Sequence, residues 1–121
     1  MGLITVPDAA ARALAATHVG YYLAGTFVQD LIWEQYATPL TLKTITDGNS
    51  QQMSLRDNPV TAIQPPLPPH SSVIFNKTGS TGGFGAYLFA APAQRLGIVL
   101  LANKFTPNEV RTKLAWQIAR L

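Results

Sequence analysis

Three apolar runs in the second half of the chain carry the clearest pattern of hydrophobic positions. They cover residues 72–76, 84–91 and 96–102 and are rich in aromatic and aliphatic side chains. A glycine-rich turn joins the first run to the second, and a short segment beginning at Pro92 joins the second to the third. Connections this short allow only antiparallel neighbours, so the pattern predicts a three-stranded meander. Because Gly97 to Ala102 is apolar at successive positions, it is predicted to be the central strand, covered on both faces.

A helical pattern lies near the N-terminus, between Pro7 and His18. Six alanines between positions 9 and 16 favour a helix, Pro7 suits the first turn, and Gly20 is the expected stop. The alanine-rich surface predicts close packing against another element.

A second helical pattern begins near Thr106. Thr106 at the N-cap and Glu109 three residues later form the pattern of a capping box, with Pro107 at the first helical position. The residues at helical spacing predict a buried stripe of Val110, Leu114, Ile118 and Leu121, with Lys113, Trp116 and Arg120 on the opposite side.

The middle of the chain is less regular. Phe27 to Tyr36 predicts a further strand that ends before Pro39, and residues 21–25 are interpreted as an aromatic connector. Residues 40–54 fit either a helical turn or a loop, because Asp47 to Ser50 is a strong turn signal. Residues 57–72 hold five prolines, which predicts a stiff, extended crossing over the surface.

Together these elements predict an α+β fold in a single domain covering residues 1–121. A three-stranded antiparallel meander, with a further strand near 27–36, is packed by an N-terminal and a C-terminal helix.

Composition narrows the class of protein. Hydrophobic residues make up 47% of the chain and charged residues only 12%, against about 25% charged in typical soluble domains. This low charge indicates either that part of the surface is buried by a partner or that the chain is part of something larger. The net charge of +3 is scattered, so no nucleic-acid partner is expected. There is no cysteine, and the two histidines are far apart, so we expect no metal and no cofactor.

The chain shows no sequence feature of membrane insertion. Its apolar runs are too short to span a bilayer, so no membrane partner is expected. Met1 to Ile4 lacks a charged region followed by a long apolar stretch, so no signal peptide is expected either.

The candidate chemistry lies in the turn between the first two apolar runs. Lys77-Thr78-Gly79-Ser80-Thr81 places a lysine and three hydroxyls in five consecutive residues. Glycine permits close approach of the backbone to a ligand, and the lysine and hydroxyls suit a carboxylate or an oxyanion. The alternative interpretation is a tight hairpin with a solvated lysine.

An ordered series of matches resembles the C-terminal part of class C serine β-lactamases, within the superfamily that also contains the penicillin-binding proteins. The matching segments are residues 20–22, 32–34, 58–63, 75–87, 96–104 and 107–118. The resemblance therefore covers nearly the whole chain from Pro7 onwards.

The resemblance implies a role for each matching residue. Lys77 would supply positive charge near the nucleophile, and the Ser80 N–H would form half of the oxyanion hole. Thr78 would bind near the substrate carboxylate, and Gly79 would let the substrate lie against the backbone. Asn108 and Arg111 would line the carboxylate-binding end of the site. Where many class C enzymes have a further asparagine, this chain has Phe105.

Two family motifs are not found in these 121 residues: the Ser-x-x-Lys of the nucleophile and the Tyr-x-Asn of the catalytic tyrosine. If the chain is active alone, the nucleophile would be Ser80 or Thr78 beside Lys77, with Ser71 and Ser72 as further candidates. A Ser–Lys pair is chemically adequate when burial lowers the pKa of the lysine.

Three functions follow as hypotheses. The first is a short or truncated β-lactamase-type serine hydrolase that opens a β-lactam ring or an ester by acyl transfer. The second is a non-catalytic fragment that binds a β-lactam or a related carboxylate. The third is a structural remnant that forms homo-oligomers through an unpaired sheet edge. The resemblance implies a periplasmic or secreted protein.

Overall fold

The computed structural model describes residue 5 and residues 7–120 and contains one seven-stranded sheet with four α-helices. The strands are β1 (Gly20–Ala24), β2 (Phe27–Gln29), β3 (Glu34–Ala37), β4 (Thr61–Leu67), β5 (Val73–Thr81), β6 (Phe84–Ala91) and β7 (Leu96–Ala102). The helices are α1 (Asp8–Ala16), α2 (Leu42–Gly48), α3 (Gln51–Leu55) and α4 (Asn108–Ala119). Every strand pairing is antiparallel, and the strand order is β4-β1-β2-β3-β5-β6-β7. The predicted mixed fold is confirmed.

The main cluster of buried hydrophobic residues lies on one face of this sheet. Successive strand residues point to opposite faces, so Tyr36, Tyr87 and Phe89 share the face that packs against α2 and α4. Ile45 of α2 and Ala115 of α4 complete the same buried cluster.

The meander of β5, β6 and β7 is confirmed, but the prediction that β7 is central is wrong. β6 pairs with β5 on one side and β7 on the other, and β7 is the last strand of the sheet. Val99 and Leu101 are 61% and 68% exposed. An apolar run shows that a strand is suited to burial, but it does not show which neighbours cover it.

The predicted strand from Phe27 to Tyr36 is two strands, β2 and β3. The backbone N–H of Asp30 donates to the carbonyl of Trp33 over 2.9 Å and closes a turn between them. The predicted aromatic connector is also a strand, β1, which pairs with both β2 and β4.

The ambiguous segment 40–54 forms the two short helices α2 and α3. Thr41 caps α2, since its Oγ1 accepts from the N–H of Thr44 over 3.1 Å. The proline-rich segment is mostly exposed and contributes the edge strand β4.

Helix α1 forms as predicted, but its expected close packing is wrong, because all nine of its residues are exposed. Alanines bury little surface each, so the helix gains little from packing on the sheet. His18, just beyond it, makes the aromatic contacts instead. Its ring lies edge-on to Phe75 at 4.6 Å and stacked on Trp33 at 5.9 Å between ring centroids.

The buried face of α4 differs from the prediction. Val110, Leu114 and Ile118 are about half exposed or more, while the buried residues are Arg111, Thr112 and Ala115. Trp116, predicted to lie opposite the core, packs against it. Arg111 donates hydrogen bonds to carbonyl oxygens of β5 and β6, so this face of α4 is turned towards the sheet.

The predicted capping box at α4 is wrong as well. The N-cap is Pro107, which has no side-chain cap, and Glu109 Oε1 accepts from the backbone N–H of Gln51 over 3.1 Å. The carboxylate therefore joins α4 to α3 rather than closing its own helix.

The expectations for Met1 to Ile4 and for Leu121 lie outside the described residues. None of the helices in the described part of the chain is long and apolar enough to cross a membrane.

Candidate active site

The outer half of β5 has an open edge. β3 pairs with β5 through residues 73–76, and Glu34 opposite Asn76 is the last pair at this end. β5 continues to Thr81, paired with β6 on its other side. Residues 77–81, which include the Lys-Thr-Gly sequence, therefore have a sheet neighbour on one side among the described residues. An open edge of this kind can accept an extended ligand.

Lys77 and Ser80 point to opposite faces of the sheet, because they are three residues apart on a regularly paired strand. The Ser80 hydroxyl accepts a hydrogen bond from Arg111 Nη2 over 2.6 Å. Thr78 lies on the same face as Ser80. The Thr78 and Ser80 hydroxyls therefore lie on the opposite face of the sheet from the Lys77 side chain.

Lys77 is paired with Glu34 instead. Its Nζ lies 3.4 Å from Glu34 Oε1, and the two side chains are 42% and 14% exposed. Burial raises the pKa of Glu34, and the charge of Lys77 opposes that rise. The sequence contained Glu34 within a matching segment, but nothing in its spacing indicated a partner 43 residues away.

A buried polar network lies directly beneath the Lys-Thr-Gly sequence. Asn76 Oδ1 accepts from Asn49 Nδ2 over 2.7 Å and from the Tyr87 hydroxyl over 3.2 Å. Asn76 Nδ2 in turn donates to the carbonyl of Glu34 over 3.2 Å. The buried side chains of Asn49 and Tyr87 thus hold Asn76, the residue before Lys77, in place.

Burial raises the pKa of both Tyr36 and Tyr87 far above the usual range of a phenol. Both rings are 0% exposed. Both phenols therefore keep their protons, and neither supplies the phenolate that a catalytic tyrosine would provide. The Tyr87 hydroxyl donates to Asn76 Oδ1, and the Tyr36 hydroxyl accepts from Asn49 Nδ2 over 3.4 Å.

Arg111 is 3% exposed and directs its guanidinium into the protein. Nη1 donates to the carbonyl of Gly79 over 2.8 Å and also to the carbonyl of Ala86, and Nη2 donates to Ser80 Oγ and to Asn108 Oδ1. Burial lowers the pKa of Arg111, and the charge of Glu109 opposes this effect. Both terminal nitrogens are already occupied by protein acceptors.

Two crevices flank this part of the sheet. One of about 270 Å³ is bordered by Glu34, Thr78 and Asn108, and one of about 300 Å³ by Ser80, Phe105 and Asn108. Arg111 lines neither. Of the residues expected to bind a carboxylate, Thr78 and Asn108 are therefore the ones that face open space.

In the described part of the chain, no three histidine or carboxylate side chains come together as a metal site.

Comparison with known proteins identifies the family. A sequence model of the Beta-lactamase family matches residues 2–121. A beta-lactamase from Lysobacter lactamgenus is 47% identical over 107 residues, which are 88% of this chain and 28% of that protein. A beta-lactamase from Psychrobacter immobilis is 43% identical over 118 residues, which are 98% of this chain and 29% of that protein.

Solved structures agree with the sequence relatives. The D-alanine carboxypeptidase AmpC from Burkholderia cenocepacia matches with a TM-score of 0.94 at 48% identity, covering 98% of this chain and 34% of its own. A class C beta-lactamase in complex with cefoxitin matches with a TM-score of 0.86 at 46% identity, covering 90% of this chain and 30% of its own. The chain spans 28% to 34% of the length of these relatives. It belongs to the beta-lactamase family and corresponds to part of a class C member.

Proposed function

We propose that this chain forms one wall of a serine hydrolase site that opens a β-lactam ring or a related ester by acyl transfer. The wall consists of residues 77–80 and Asn108. The observation that carries the proposal is the open edge of β5 at residues 77–81, next to crevices bordered by Thr78 and Asn108. A substrate would lie along this edge with its carboxylate towards Asn108.

Each residue of the wall has a defined task in this proposal. The Lys77 ammonium favours the deprotonated form of the attacking oxygen, and its pairing with Glu34 holds it at the end of β3. The Ser80 backbone N–H donates to the oxyanion that develops on the attacked carbonyl. The Thr78 hydroxyl and the Asn108 amide bind the carboxylate, and Gly79 leaves the strand surface open to the ligand, since a Cβ there would meet nothing closer than 3.8 Å.

The wall needs a nucleophile from elsewhere. The sequence contains neither Ser-x-x-Lys nor Tyr-x-Asn, and the Ser80 hydroxyl is bonded to Arg111 on the face opposite Lys77. Acyl transfer requires a nucleophile and a base within hydrogen-bond reach. We therefore propose that the residues described act as half of a site, completed by polypeptide that carries the two missing motifs.

The second candidate function is reversible binding of a β-lactam or another carboxylate by this chain alone, without turnover. The separation of Lys77 from the Ser80 hydroxyl favours it. Thr78 and Asn108 are available to bind the carboxylate, whereas Lys77 does not activate the Ser80 hydroxyl as a nucleophile.

Hydrolysis and binding of a chromogenic cephalosporin test both candidate functions. We expect no turnover by the chain alone, no covalent adduct by intact-mass spectrometry, and weak reversible binding that Lys77→Ala reduces. Lys104→Ala, which removes an exposed lysine, serves as the matched control. Adding a polypeptide with the Ser-x-x-Lys and Tyr-x-Asn segments of a class C relative should restore turnover.

Two outcomes would contradict these proposals. Turnover or a serine adduct in the chain alone would show that it holds its own nucleophile. No binding, and no turnover in the mixture, would leave only a structural role.

We also propose that the isolated chain self-associates through β7, the apolar strand at one edge of the sheet. Family relationship supports a periplasmic or secreted location, which cell fractionation of the producing organism would test.

A further inference from the structure

We infer that Arg111 is a positioning residue, which fixes the end of β5 and turns the Asn108 amide towards the substrate, rather than a residue that binds the substrate carboxylate. The inference rests on the proposed function above. Asn108 is the side chain that contacts the substrate carboxylate, and Arg111 is the side chain that positions Asn108 and the end of β5.

One nitrogen of Arg111 joins two strands. Gly79 of β5 and Ala86 of β6 are directly paired, and Nη1 donates to the carbonyl oxygen of each. The same guanidinium reaches Ser80 through Nη2. A single charged group on α4 therefore holds the segment whose Ser80 N–H would serve the oxyanion.

The Arg111 guanidinium is closely packed and buried. The guanidinium lies against Gly85, where a Cβ would approach Arg111 Cζ and Nη1 to 3.4 Å each. Nε is buried and has no partner among the described residues. A carboxylate could reach Nη1 or Nη2 only by displacing acceptors that the protein already provides, at the cost of leaving those acceptors unpaired.

The hydrogen bond from Arg111 also determines which end of the Asn108 amide faces the crevices. Asn108 Oδ1 accepts from Nη2 of Arg111, so the Nδ2 group is turned away from the guanidinium. Asn108 borders both crevices. The group available to a substrate carboxylate is thus an N–H donor, which matches the charge and hydrogen-bonding needs of that anion.

The first part of the test needs no ligand. In the ¹⁵N-labelled chain we expect separate, slowly exchanging Nη–H signals for Arg111, unlike those of the exposed Arg12 and Arg56. Arg111→Ala should speed hydrogen exchange of the backbone amides of residues 79–86 by about ten-fold, the effect expected for losing charge-assisted hydrogen bonds. Lys113→Ala, which removes an exposed charge from the same helix, should leave that exchange unchanged.

The decisive variant is Arg111→Lys. A lysine keeps the charge but cannot bridge four acceptors from a planar fork. If Arg111 acts through the strand, Arg111→Lys should resemble Arg111→Ala in exchange rates. Wild-type exchange rates in Arg111→Lys would overturn the inference.

The second part uses a cephalosporin and its carboxylate methyl ester as probes. We expect the acid, and not the ester, to shift the Asn108 Nδ2 signal while the Arg111 Nη signals stay in place. Asn108→Ala should reduce the preference for the acid, because the Thr78 hydroxyl remains as the second carboxylate-binding group. A shift of the Arg111 Nη signals that is specific to the acid would assign the contact to Arg111 and overturn the inference. If neither probe binds, the proposed function fails, while the exchange rates still decide whether Arg111 holds the strand.

Discussion

The hydroxyl of Tyr36 occupies the space in which any side chain at position 48 would begin. A Cβ on Gly48 would lie 2.0 Å from Tyr36 Oη and 2.9 Å from its Cζ. Tyr36 is 0% exposed and lies beneath α2, so its ring cannot swing aside into solvent. The last residue of α2 must therefore be glycine for the helix to seat on the sheet.

Gly48→Ala should lower the free energy of unfolding by about 3 kcal/mol, because overpacking a close-fitting core costs this much. Helix propensity alone predicts the opposite sign, since alanine is the better helix former. Urea denaturation followed by circular dichroism measures the change. Gly97→Ala, where a Cβ meets nothing within 4 Å, is the control. A neutral Gly48→Ala would show that the ring and the helix separate easily.

The two threonines near helix starts should behave differently. Thr41 Oγ1 accepts from the N–H of Thr44, so Thr41→Ala should cost about 1 kcal/mol. Thr106 makes no cap hydrogen bond because Pro107 is the N-cap, so Thr106→Ala should change stability by less than about 0.5 kcal/mol. Equal losses in the two variants would mean that α4 begins one residue earlier in solution.

Asp30 should make the protein less stable as the pH rises. Burial raises its pKa to about 6 from 3.8, against the opposing effects of the Gln35 hydrogen bond and the charge of His18. Between these two values the folded state binds more protons than the unfolded state, so this contribution to the free energy of unfolding falls with increasing pH.

Urea midpoints at about pH 4 and about pH 7 measure that contribution. Asp30→Asn should gain stability relative to the wild type on going from the lower to the higher pH. Asp57→Asn, at an exposed carboxylate, is the control. A wild-type minus Asp30→Asn difference that is constant with pH would contradict the raised pKa.

Self-association through β7 should depend on its two exposed apolar residues. Val99→Lys and Leu101→Lys each place a charge on the edge strand, which disfavours pairing with another chain. Each should lower the sedimentation coefficient at a protein concentration on the order of tens of micromolar, without lowering the urea midpoint. Leu55→Lys, at a residue 73% exposed on α3, should have no effect. A wild type that sediments as a monomer would refute the proposal.

Some local patterns in the sequence predicted local structure, whereas the predicted capping box of α4 and the predicted single strand over residues 27–36 were wrong. The short connections around β6 left no alternative to an antiparallel meander, and the Lys-Thr-Gly segment lies on β5 as the resemblance implied. These features depend on residues close together in the chain, where turn length and side-chain period constrain the backbone directly.

Contacts between distant residues were not predictable in this way. The orientation of α4 follows from Arg111 bonding to strand residues more than 20 positions away, whereas helical periodicity assigns an arginine to the solvent side. Glu34 and Lys77 likewise meet because β3 happens to lie beside β5. No local pattern encodes the order of strands in a sheet.

The two edges of the sheet differ in a way that limits how many copies can join. β4 carries Pro65 and Pro66, which have no N–H to offer another strand, whereas β7 contains no proline. A filament needs two compatible edges on every copy, while a single pairing edge can be satisfied by one partner related by a two-fold axis. When the β7 strands of two copies pair with each other, neither β7 edge is left free, so this contact closes at a symmetric pair.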